Sequence, residues 1–93
     1  MMHFTDKQLE DIRQYAANFF TLPEIAIIAD VPEDELRAGV ADKSSEVYAA
    51  YMRGKYSTLA AIRAQEIELA RAGSPVAIEN AAAMLRDMNA SEI

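Results

Sequence analysis

Residues 45–72 hold no proline and end at Gly73, so twenty-eight residues run with nothing to stop a helix until a glycine suited to a left-handed termination. This predicts one long helix from about Ser45 to Ala72. At about 1.5 Å per residue it reaches roughly 40 Å, longer than a small core can cover. No other part of the chain offers a competing sheet. Nowhere does a run of Val, Ile, Thr and aromatic residues alternate with polar ones between turn clusters. The expected fold class is therefore all-α, and four further helices are readable.

The first starts at Thr5, a capping residue, followed by Asp6. Leu9, Ile12, Ala16 and Phe19/Phe20 recur at helical spacing, and the helix is expected to stop near Phe19. The second opens with a Thr21-x-x-Glu24 capping box, with Pro23 tolerated in its first turn. Ile25, Ala26, Ile28 and Ala29 form its expected buried face, and Asp30-Val31-Pro32 ends it. The third runs from about Glu33 to Ala41, with Leu36 and Val40 inward and Glu33, Asp34 and Glu35 in a first turn that favours carboxylates. Asp42-Lys43-Ser44-Ser45 breaks the chain before the long helix. Ser74 and Pro75 begin the last helix, where Val76, Ile78, Ala81, Leu85 and Met88 can line one face. Residues 89–93 are expected to fray. With 93 residues the chain is read as one helical domain over 1–93. Residues 5–41 are expected to form a helix-turn-helix part, and residues 45–88, the long and last helices, an oligomerisation part.

The long helix presents two stripes. Tyr48, Met52, Leu59, Ile62 and Leu69 lie on one, interrupted by Lys55 and Glu66. Ala50, Gly54, Ser57, Ala61 and Ala64 lie on the other, and small side chains at that spacing let another helix come close. Two occupants fit the small stripe: the first and last helices of the same chain, or a second subunit. Glu66, on the apolar stripe, is expected to bind Arg63 or a neighbouring helix.

The composition removes most chemistry. There is no cysteine, which excludes disulfides, thiol nucleophiles and zinc–thiolate sites. The one histidine, His3, lies near an end and has no triad partners. Of the carboxylates at Glu10/Asp11, Glu33/Asp34/Glu35 and Glu66/Glu68, most sit at helix starts or on polar faces, with Glu66 the exception, and the five methionines read as core filler or terminal residues rather than a metal box. The chain is expected to be no enzyme, to need no cofactor or metal, and, with no membrane span or signal segment readable, to be cytoplasmic. The formal net charge is −6, all of it in the first half. Residues 1–46 carry four basic against ten acidic side chains, and residues 47–93 carry five of each. Such a surface repels phosphates and suits neutral or basic partners.

Residues 21–41 have what two short helices joined by a tight turn need, with Ala26 at the crossing and Ile25, Ala29, Val31, Leu36 and Val40 as a small core. This resembles the helix-turn-helix of bacterial and phage DNA-binding proteins. Beyond it, Tyr51-Met52-Arg53-Gly54-Lys55, Leu59, Arg63, Ala70 and Gly73-Ser74-Pro75 are similar to the corresponding region of phage terminase small subunits, the DNA-packaging proteins. The resemblance spans roughly residues 5–85, and the chain is shorter than typical members, which carry further C-terminal segments. It implies DNA recognition by the helix-turn-helix, homo-oligomeric rings built by the later helices, and recruitment of a packaging ATPase. Two departures stand out. Asp30 fills a turn position usually held by glycine, which aspartate tolerates. The expected recognition helix opens with three carboxylates, a poor match to a phosphate-lined groove. The remaining candidates for nucleic acid are Arg37, Lys43, Arg53 and Lys55, near Tyr48, Tyr51 and Tyr56. The same cluster also reads as a solvated face with half-buried tyrosines. Function therefore divides between a module that binds DNA weakly as an oligomer and an acidic scaffold that has lost DNA binding.

Overall fold

The computed structural model describes His3 to Glu92, and these residues form five α-helices with no strand among them. They are α1 (Asp6–Ala17), α2 (Leu22–Ala29), α3 (Glu33–Ala41), α4 (Glu46–Arg71) and α5 (Pro75–Ser91). Met1 and Met2, expected as terminal residues or core filler, lie outside the described residues. No described helix is long and apolar enough to cross a membrane.

The boundaries follow from local chemistry. The Thr5 hydroxyl accepts from the Gln8 N–H at 3.1 Å while the Gln8 side chain accepts from the Thr5 N–H at 2.9 Å, so two otherwise orphaned donors are satisfied reciprocally. Thr21 and Glu24 repeat the arrangement at the start of α2. Asp30 ends α2 in the left-handed region, at φ 57° and ψ 53°, as its short polar side chain permits. Ser45 accepts from the Tyr48 N–H and donates to the Gly39 carbonyl at 2.6 Å, tying the end of α3 to the start of α4. Gly73 sits at φ 98° and separates α4 from α5, whose first turn is capped by Ser74. The first helix ends at Ala17, two residues before the expected stop, and Phe19 follows at φ 61°. The last helix runs to Ser91, with Glu92 as its C-cap.

Chain contacts divide the molecule into two compact units, one up to Leu59 and one from Ala60 onward. The first unit holds the main core. Ile12, Ile25 and Leu36 are fully buried at its centre, joined by Phe4, Ala16, Ala26, Ala29, Val31 and Val47. Each of the three large side chains contributes about 1.5–3 kcal/mol through apolar burial. Leu9, Phe20, Val40, Ala50 and Tyr51 pack around them, and Tyr15 meets Phe20 edge-on at 5.2 Å. Ile28, expected inward, is 41% exposed. The face of α2 turned to the core is narrower, made by Ile25, Ala26 and Ala29.

The second unit is the later part of α4 and α5. Ala77 is its one fully buried apolar residue among those described, with Ala81, Ala83 and Met84 partly covered. Val76, Ile78, Leu85 and Met88, expected to line the packing face of α5, are exposed instead. Alanine, with its small side chain, permits the closer helix–helix approach. Glu66 accepts a hydrogen bond from Asn80 Nδ2 at 3.1 Å, the neighbouring-helix option for this carboxylate.

Candidate functional site

Three places in the fold bear on function: the α2–α3 pair with its flanking cations, the stripes of α4, and a cavity beside α3.

The core beneath α2 and α3 includes Ile25, Ala29, Val31 and Leu36, with Val40 at its margin. This burial fixes which side of α3 reaches solvent. On that side Glu33 and Asp34 are exposed and Glu35 is partly buried. Arg37 is the only basic residue of α3, and its Nε donates to Glu33 Oε2 at 3.0 Å. Both partners are about half exposed, at 53% and 47% of their side-chain surface, so the pair adds little to stability. Its chief effect is to spend the cation of α3 on an internal carboxylate.

The other three expected nucleic-acid contacts are differently placed. Lys43, in the α3–α4 connection, and Arg53, on α4, are exposed and take part in no ion pair among the described residues. Lys55 lies over two tyrosine rings, with Nζ 5.9 Å from the Tyr51 centroid and 5.8 Å from that of Tyr56. Cation–π attraction of this kind is worth about 0.5–1 kcal/mol at exposed sites. It holds the ammonium beside aromatic faces, a combination suited to nucleic acid or to nothing beyond the domain's own surface.

The small-residue stripe of α4 splits in two. A Cβ placed on Gly54 would overlap the backbone carbonyl oxygen of Arg13, so α1 of the same chain already occupies that position. Ala50 likewise packs against the main core. Of the two occupants the sequence allows for the stripe, these two residues have the intramolecular one. The sequence shows that a close approach is possible there but not which helix makes it. Ser57 is exposed and returns its hydroxyl to the Gly54 carbonyl at 2.9 Å, while Ala61 and Ala64 are exposed. Of the apolar stripe, Tyr48, Met52 and Leu59 are half-buried, whereas Ile62 and Leu69 are each 43% exposed.

The cavity was not legible in the sequence. It has a volume of about 410 Å³ and lies wholly within the first unit. Phe4, Leu9, Ala38 and Val47 give it an apolar lining, and Glu35, Asp42 and Glu46 give it three carboxylates. The second oxygen of Glu35, Oε2, is shielded from solvent and has no hydrogen-bond partner. Asp42 accepts from the Ser44 hydroxyl at 2.7 Å and from the Ser44 N–H at 3.0 Å, which holds its carboxyl below the ordinary value. His3, read as a frayed terminal residue, lines the cavity and is itself exposed. No group of three or more His, Asp or Glu among the described residues could hold a metal ion.

No family model, no curated protein and no solved structure matches this chain.

Proposed function

We propose that the chain is a non-catalytic helix-turn-helix module of the phage terminase small-subunit type, acting in the cytoplasm, that associates with copies of itself and engages DNA only as the assembly. The observation that carries this reading is the unit from Ala60 onward. Ala77 is its one buried apolar residue among those described, and Ile62, Leu69, Ile78 and Leu85 are each more than two-fifths exposed. Ile62 and Leu69 are seven residues apart on α4, as Ile78 and Leu85 are on α5, so each pair recurs on one helical face. Copies of the chain would cover these faces, and Ala61 and Ala64 would admit a neighbouring helix. A single chain of net charge −6 binds phosphates poorly. Repetition of Lys43 and Arg53, with Lys55 and Arg37 beside them, would add weak contacts through avidity. A packaging ATPase is the protein partner that the family resemblance suggests.

A second reading is favoured by a specific contact, the Glu33–Arg37 pair on a helix whose first turn is otherwise carboxylates. In this reading the same fold is an acidic scaffold that binds protein and not DNA. A mobility-shift titration at two salt concentrations, run with light scattering, separates the two. DNA binding that weakens steeply with salt supports the first. An assembled protein that shifts no DNA even at low salt leaves the scaffold. Arg53→Ala combined with Lys55→Ala should lower DNA affinity, and an unchanged affinity removes these residues from the contact.

A further inference from the structure

The end of α1 carries a strain that core packing does not explain. Phe19 donates its N–H to the Ala16 carbonyl and Phe20 donates to that of Tyr15, each at 3.0 Å, the paired hydrogen bonds of a left-handed helix stop. The same pairing closes α2 at Asp30 and α4 at Gly73, residues that accept positive φ readily. A bulky aromatic residue does not, yet Phe19 stands at φ 61°. Burial does not offset this, because Phe19 is 50% exposed. Its side chain instead lines a second cleft, of about 290 Å³, together with Ala16, Phe20, Thr21, Tyr51 and Lys55, all within the first unit. Residues held in unfavourable backbone regions gather at ligand clamps. We infer that this cleft takes an unpaired nucleobase of a single strand, stacked on Phe19, with Lys55 meeting the adjoining phosphate. Lys55 is the only charged residue of the lining, and it takes part in no ion pair among the described residues. Aromatic faces beside a cation hold single strands without regard to sequence, because every base has a π-face. Glu24 brings an opposing charge to Thr21, but its Oε1 is engaged by the Thr21 N–H at 2.8 Å and the Thr21 hydroxyl at 3.0 Å. That carboxylate weakens the cleft for a bare anion and leaves a neutral ring as the better occupant. A paired base cannot reach Phe19 without leaving its stack. A duplex would also bring two phosphate strands against an acidic unit. The inference rests on the nucleic-acid binding proposed above and names the form of the strand.

The test is an amide-resolved NMR titration of the full chain at low salt with four probes. They are a short oligothymidylate, an oligouridylate of equal length, a blunt DNA duplex of that length, and a blocked Asp-Phe-Asp tripeptide. A single strand should shift the amides of Phe19, Phe20, Thr21 and Tyr51 and bind more tightly than the duplex or the tripeptide. The tighter of the two single strands tells DNA from RNA as the source of the base. Phe19→Gly should weaken single-strand binding about tenfold or more. Because glycine suits the backbone there, its Tm should be unchanged or higher. If that variant unfolds, Lys55→Gln should still weaken binding, by a smaller factor. Unchanged affinity in a folded Phe19→Gly overturns the inference, as does a single strand whose shifts lie away from the cleft. Equal or tighter binding of the duplex overturns it while leaving the DNA binding proposed above in place. No shift with any nucleic acid overturns both, and preference for the tripeptide replaces the base with an acidic protein segment.

Discussion

At Gly54 the absence of a side chain lets the backbone of α1 lie directly on α4, with the Arg13 carbonyl where a Cβ would be. Backbone cannot move aside as a flexible side chain can, so Gly54→Ala should cost about 1–3 kcal/mol. Thermal unfolding should show the loss as a Tm lower by roughly 5–20 °C. An unchanged Tm would mean that α1 does not lie there. A second residue-scale effect concerns acid. Glu10 is held below its ordinary value of 4.5 by the Arg13 guanidinium, and Glu24 below the same value by the Thr21 N–H and hydroxyl. A carboxylate depressed in the folded chain adds stability that is whole above its unfolded value and lost as pH falls through the folded one. Chemical denaturation should therefore show a plateau from neutrality to about pH 4.5 and a decline below it. Glu24→Gln should lower the plateau and flatten the decline, because the amide retains one acceptor but not the charge.

Helix starts were legible because their signals are local. The Thr21-x-x-Glu24 box and Ser74-Pro75 lie within a few residues of the turns they cap, and each mark is where a helix begins. Gly73 marked a helix end in the same local way. What lay beyond sequence was the choice of partner for each face. On α5 the larger apolar residues looked like the packing side, yet Ala77 is buried and Ala81 partly so while Val76 is 68% exposed. Periodicity ranks a face by hydrophobicity, whereas close helix packing rewards small size. The cavity was invisible for a related reason. Its lining comes from residues as far apart as His3 and Val47, which only the folded first unit brings together. The exposed apolar side chains of the second unit yield an element-scale prediction. Ile78→Asp with Leu85→Asp should abolish self-association, read by sedimentation, while helical content by circular dichroism stays near that of the parent. Retained association in that variant would move the interface elsewhere.

For the whole molecule, the two units carry different burdens. The first has a centre of fully buried side chains in Ile12, Ile25 and Leu36, whereas the second has, among the described residues, one small buried residue, Ala77. A helix pair that hides so little apolar surface gains most of its stability from what it is packed against. That contrast, together with the acidic charge concentrated in the first half, is what the proposed self-association rests on. The most direct test is the mass of the full chain in solution by light scattering at tens of micromolar protein. The account predicts a mass of at least twice 10.3 kDa, at a whole-number multiple of it. A mass of 10.3 kDa that holds as concentration rises would contradict it.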